Sequence, residues 1–171
     1  MGLVFDPFAV GPSVAGLAVN IFAVAQAVRA SQGEGVRADM AATREAVEVH
    51  LPFQQAAVAV LDRLNSLSNT RMPPAVTGAV WNWPAAYRSM SELPELAEAL
   101  QQTFVTAATV GPSALVDPMV EVVEAVGRSA MAFAHRGQAR KSVFDEHCEA
   151  AYGELATYSA ALRDQLAGAT G

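Results

Sequence analysis

One cysteine, one lysine and few charges of either sign set the first limits on this 171-residue chain. The single Cys148 excludes an internal disulfide framework and fits a reducing compartment. With Lys141 the only lysine against ten arginines, there is no basic stretch of the kind that binds phosphates or acidic lipid headgroups. Charged residues are 16% of the chain and sum to −6, so duplex nucleic acid, which needs a basic face to displace counterions, is excluded as the main ligand. The nine prolines are spread thinly, and no segment shows the alternation of a strand.

Abundance lies in apolar residues, which make up 52%, and in alanine, of which there are 35. A chain of this size and apolarity buries enough surface to offset the entropy of ordering, so general disorder is excluded. Alanine at this level favours helices. The composition therefore predicts an all-α protein, a single helical domain over residues 1–171.

The apolar excess concentrates at the N-terminus. From Pro7 to Val28 runs a stretch of 22 residues without charge, flanked by Asp6 and Arg29. As a helix it would be about 33 Å long, near the thickness of a bilayer's hydrocarbon core. Ala23-Val24-Ala25 and Ala25-Gln26-Ala27 imitate a signal-peptidase site, but a secretory signal calls for a positive n-region and the first charge here is Asp6. A constitutive span is weakened by Gly11, Pro12, Gly16, Asn20 and Gln26, and by six alanines, which drive insertion poorly. The reading that remains is an apolar helix over about residues 7–30, its regular part starting nearer Ser13 because of Pro12, in or against the core of a bundle and in the simplest case buried all round at its centre. Such a helix would become membrane-competent if released.

The remaining bundle, about residues 36–167, reads as helices between clear stops. Ser31 to Gly35 ends the first helix. A second runs from about Val36 to Leu67, with Val36, Met40, Val47, Leu51, Val58 and Leu61 on one stripe and a kink or division at Pro52. Residues 75–90, with Trp81-Asn82-Trp83-Pro84, read as irregular or briefly helical, the tryptophans closing one end of the bundle or serving as an interfacial anchor. A third helix starts near Ser91 as N-cap, with Pro94 and Glu95 in its first turn, and buries Leu93, Leu96, Leu100, Phe104 and Ala107. Gly111-Pro112-Ser113 stops it. The next carries Leu115, Met119, Val122, Val126 and Phe133 and closes at His135-Arg136-Gly137. The last, about Gln138 to Leu166, repeats Phe144, Cys148, Ala151, Leu155, Tyr158 or Ser159, Leu162 and Leu166. Four long helices plus shorter ones result.

Chemistry finds little footing. There is no Glu-x-x-His pair for a di-iron bundle, no nucleophile elbow around Ser13 and no phosphate loop. His147-Cys148 among Asp145, Glu146 and Glu149 invites a metal, yet a helix turns those two side chains about 100° apart and Cys148 belongs to the core stripe. No enzyme, metal site or cofactor is expected.

One resemblance goes beyond composition. Asp6-Pro7-Phe8-Ala9-Val10-Gly11-Pro12-Ser13-Val14-Ala15-Gly16-Leu17-Ala18-Val19, continued by Ile21-Phe22-Ala23-Val24, resembles the opening of HeLo-like domains and their bacterial counterparts, the Bell domains. Those domains head NLR-like and amyloid-signalling cell-death proteins. The resemblance implies a membrane-disrupting or pore-forming helical effector, cytoplasmic at rest, moving to the plasma membrane when an NLR-like or amyloid-motif partner clusters it. It assigns the membrane-active helix to Pro7, Phe8, Val10, Val14, Leu17, Val19, Asn20, Ile21, Phe22 and Val24. Gly11, Ala15 and Gly16 would supply the small surfaces for helix contact and self-association. Residues 167–171 carry no amyloid-prone motif, so the trigger would lie in a further segment of a longer protein or in a separate one. The other reading is a helical adaptor that never touches lipid.

Overall fold

A computed structural model of the chain describes residues 10–33, 44–70, 83–134 and 141–168. They form α1 (Val10–Gly33), α2 (Arg44–Glu48), α3 (His50–Thr70), α4 (Trp83–Val110), a 3-10 turn (Ser113–Leu115), α5 (Val116–Ala134) and α6 (Lys141–Gly168). Among the described residues there is no strand. The all-α expectation holds.

The centre of the bundle is α5. Buried residues cover most of its circumference, from Val116 through Val120, Val123 and Gly127 to Phe133. Its exposed charges, Asp117, Glu121 and Arg128, share a single narrow ridge with the half-buried Glu124, the 4-3-4 spacing that keeps residues on one face. Around α5 stand α1, α3 and α6, while α4 closes the ring by packing on α3 and, less extensively, on α1. All of these helices contribute to one contiguous apolar cluster. The N-terminal helix α1 lies against the core, as expected, but as a flank and not buried all round at the centre. A helix without charge need not be a central one.

Two proline effects move the boundaries. Pro52 is the third residue of α3, where its nitrogen cannot bond to the Glu48 carbonyl and its ring crowds that group. The chain consequently breaks at Val49 and separates α2 from α3. Leu51 is exposed, and the buried stripe is His50, Phe53, Ala57, Leu61 and Leu64, in step with Ala46 of α2. Of the expected stripe, Val47 and Leu61 are buried and Val58 is half-buried, while Val36 and Met40 lie outside the described residues.

Ser91 and Pro94 do not begin a helix, because α4 starts two turns earlier at Trp83, with Pro84 in the first turn. Pro94 sits inside α4 and faces solvent. An interior proline costs about 3 kcal/mol, which burial of Leu93, Ala97, Leu100 and Phe104 on the other side offsets. An ion pair from Arg63 of α3 to Glu92 lies alongside. Likewise Pro12 falls in the first turn of α1, where a missing N–H removes no bond, so that helix begins at Val10 and not near Ser13.

The expected faces of α5 and α6 are buried nearly as read, with Ser159 and Leu166 half-buried. The α4–α5 corner is made by Gly111, whose N–H donates to the Ala107 carbonyl at 2.9 Å, and by Pro112, whose carbonyl accepts from Leu115 at 3.1 Å. Trp81 and the His135-Arg136-Gly137 stop lie outside the described residues.

Candidate membrane-active helix

From Val10 to Gly33 the only charged residue of α1 is Arg29. Its packing divides it into two faces. Val14, Ala18, Ile21 and Ala25 recur every three or four residues and are buried against α5 and α4. Leu17, Phe22, Val24 and Val28 border that stripe and are half-buried. Ile21 and Val24 close on Leu100, Phe104 and Val123 without room for a water molecule.

The outward face holds Gly16, Val19, Asn20, Ala23, Gln26 and Ala27, none charged, with Val19 57% exposed. Every other long helix carries charge on its outward side: Asp62 on α3, Glu95 and Glu98 on α4, the ridge on α5, and Asp145, Glu146, Glu149 and Arg163 on α6. A surface helix in water is ordinarily charged on its free side. On α1 the single exposed charge, Arg29, comes only near the C-terminal end, so the exposed positions from Gly16 to Ala27 carry none. Beside it a groove of about 370 Å³ opens between Gly16, Leu17 and Asn20 and the α4 residues Pro94, Ala97, Glu98 and Gln101.

Two features fasten α1. At its C-terminal end Arg29 reaches across to the α5 ridge, its guanidinium donating to Glu124 at 2.6 Å and to Glu121 at 2.7 Å. Arg128 is a weaker second partner of Glu124 at 3.8 Å. Because Arg29 is 45% exposed, this pair of bridges adds only about 0.2–1 kcal/mol each. In the middle, the Phe22 ring lies over Gly127 of α5, so close that a Cβ there would meet three ring carbons at 3.0, 3.1 and 3.3 Å. The absence of a side chain at Gly127 is what lets the ring seat.

Of the residues assigned by sequence, Val14, Leu17, Ile21, Phe22 and Val24 form the docked side. Gly16, Val19 and Asn20 form the free side and Ala15 lies at the margin. Val10 and Gly11 are in the first turn of α1, and Pro7 and Phe8 lie outside the described residues. The structure thus divides between two faces what the sequence had joined in one list. Sequence reading missed Arg29, Glu121, Glu124 and Gly127. The only signal for them was Arg29 closing the uncharged run and the i, i+3 spacing of the two glutamates.

The docked side gives a stability expectation. Ile21 is 1% exposed, so Ile21→Ala should cost about 2–5 kcal/mol, the range for buried large-to-alanine changes. Leu17→Ala, at a half-buried position, should cost distinctly less. Urea denaturation of the two variants checks the order, and the reverse order would mean that α1 is docked on another face.

Cys148 is 7% exposed, and burial, eased by a hydrogen bond with Ser129, pushes its thiol up to about 11, away from the thiolate that a nucleophile or metal ligand needs. Among the described residues no group of three His, Cys, Asp or Glu side chains is placed to hold a metal ion. Ser129 lies 3.0 Å from the carbonyls of both Ala125 and His147 and ties α5 to α6. Tyr152 donates to Asp62 at 2.6 Å and Gln54 to Ser159 at 2.7 Å, tying α6 to α3. Among the described residues no helix is long and apolar enough to cross a membrane. No protein-family model matches the chain, no curated protein matches it in sequence, and no solved structure matches it in fold.

Proposed function

We propose that this protein is a non-enzymatic, membrane-targeting effector of cell death, in which α1 is held against α5 at rest and released when several copies are clustered. The observation that carries this reading is the missing charge: a flanking helix, exposed along half its surface, with no charged residue before Arg29. The likeness of residues 6–24 to HeLo-like and Bell domains supports the same reading. At rest the protein is cytoplasmic; on activation it moves to the plasma membrane.

A lone α1 is too weakly apolar to span, and the reading accommodates this by assembly. Clustering raises the local concentration of released helices, and Gly11, Ala15 and Gly16 allow close helix approach while Asn20 and Gln26 find partners on neighbouring copies. Clustering by an NLR-like or amyloid-motif protein is the expected trigger.

The same weak apolarity also favours a second reading, a helical adaptor that binds other proteins through the uncharged face and leaves lipid alone. Asn20 discriminates. It is exposed in the docked state, so Asn20→Asp should leave the fold intact, whereas a charge at the centre of an inserted helix costs about 2.5–3.5 kcal/mol. The full chain, fused to an inducible dimeriser, is expected to release dye from zwitterionic liposomes. Asn20→Asp should need at least tenfold more protein for the same release. If neither protein releases dye when clustered, while both retain self-association, the adaptor reading replaces the effector reading.

A further inference from the structure

The end of the bundle where α4 turns into α5, toward which the Arg29 end of α1 also points, is closed by a buried histidine. His50 is fully buried at the first position of α3. Its Nδ1 lies 2.7 Å from the Tyr158 hydroxyl of α6, and the same hydroxyl is 3.5 Å from the His50 backbone carbonyl. An Nδ1–H donating to Tyr158 leaves the tyrosine proton free for that carbonyl. Across the ring, Nε2 is buried with no hydrogen-bond partner. It abuts the Cα of Gly111: a Cβ there would overlap Nε2 outright and stand 2.6 Å from the Ala107 carbonyl. One imidazole therefore wedges the start of α3 against α6 and the α4–α5 corner, and only glycine at 111 leaves it space.

We propose that His50 is an acid-sensitive pin: protonation at Nε2 drives the imidazole out of its wedge and opens the end of the bundle where the α2–α3 and α4–α5 junctions meet. The geometry offers the incoming proton nothing. Nε2–H would point at a glycine, and Nδ1–H already uses the Tyr158 oxygen. Among the described residues, the groups around the ring supply no counter-charge. From α6 it meets Tyr158, itself held neutral by burial. The α4 stretch from Gln101 to Val110 and the corner from Gly111 to Leu115 carry no ionisable side chain. Glu45 and Glu48 of α2 and Asp117 of α5 are exposed to solvent, and on α6 the half-buried Glu154 is one turn from Tyr158. Burial alone sets the imidazole's proton affinity, lowering its pKa to about 4 from 6.5.

The direction follows from linkage. The open state binds the proton more tightly than the closed one, so closure is fully favoured above about pH 6.5, weakens as pH falls, and stops weakening below about 4. Between pH 7.5 and pH 5.0 the opening constant should rise roughly 25-fold, given those two values. Hydrogen exchange of the full chain, corrected for intrinsic rates, should show protection falling by about that factor over residues 47–53 and 107–116. Protection over residues 119–126 should change much less. His50→Phe, which keeps a ring but cannot take a proton, should abolish the difference, and Tyr158→Phe, which leaves the imidazole titratable, should retain it. Equal protection at both pH values in the wild-type protein overturns the proposal, as does the same loss in His50→Phe. Should His50→Phe fail to fold, NMR of histidine-labelled wild-type protein decides: a His50 ring that protonates in place, with protection unchanged, overturns the pin, and charging that accompanies opening supports it.

Discussion

Phe53→Ala is expected to cost about 3–5 kcal/mol, a large share of the 5–15 kcal/mol that holds a domain of this size folded. Phe53 is fully buried on α3 and joins two partners from different helices. Its ring meets Tyr158 of α6 edge-on, centroids 5.3 Å apart at 84°, and packs tilted on Phe104 of α4 at 5.9 Å. Aromatic pairs at such separations contribute about 0.5–1.5 kcal/mol beyond the area they bury. Truncation removes both contacts at once, and it opens a cavity bounded by Tyr158, which is tethered to His50, and by two helices that cannot collapse inward independently. Urea denaturation gives the measurement: the midpoint should fall steeply with the slope retained. A loss under about 1 kcal/mol would mean that the three rings are not packed as described.

The fold was largely legible because α5 and α6 state their period openly. Met119, Val122 and Val126, and Phe144, Cys148, Ala151 and Leu155, repeat at helical spacing with nothing to interrupt it, and all are buried. Legibility failed where a stripe was placed off its true face or a proline imitated a start. Leu51 fits a stripe with Val47 and Val58, but the buried positions run through Ala46, His50, Phe53 and Ala57 and leave Leu51 outside. Ser91 and Pro94 read as a helix start by local rules, while the buried residues around them keep α4 running. The uncharged N-terminal run was read correctly as a helix in or against the core, and wrongly as the centre of the bundle. Lack of charge on a free face is as compatible with a face awaiting another environment as with burial, and local sequence holds no term that separates the two. The centre was instead announced by α5, whose charges all fall on one ridge.

The candidate site was legible in part for the same reason. Its residue types follow from the run of residues 7–28, but its docking does not, because every fastening is long-range. Arg29 meets glutamates more than 90 positions away, and Phe22 sits over a glycine whose role depends on a helix placed beside it. The His50–Tyr158 contact spans 108 positions. Single residues without a pattern become visible only when the bundle brings them together.

Gly127→Leu should free α1 while leaving the other helices packed. Gly127 is buried in the middle of α5, facing α1, and even a methyl group there would press on the Phe22 ring. Alanine asks that ring to move by a few tenths of an ångström, which a half-buried side chain can do. Leucine fills the seat. Overpacking of this kind costs about 1–3 kcal/mol, equivalent to a roughly 5- to 150-fold larger undocked population. The cost falls on the α1–α5 contact, since replacing a mid-helix glycine by leucine favours α5 itself by up to about 1 kcal/mol. Hydrogen exchange is therefore expected to quicken across residues 14–28, with protection retained over residues 119–126 and 148–155. Under the proposed function the same variant should release liposome contents at lower protein concentration than wild type, and Asn20→Asp added to it should reverse that gain, because a charge opposes insertion after docking has already been lost. The combinations separate the ideas. Faster exchange with no added leakage would leave α1 a detachable helix and defeat its membrane role. Unchanged exchange in Gly127→Leu would mean that the Phe22 seat does not govern docking, and control of α1 would then rest on the stripe from Val14 to Ala25.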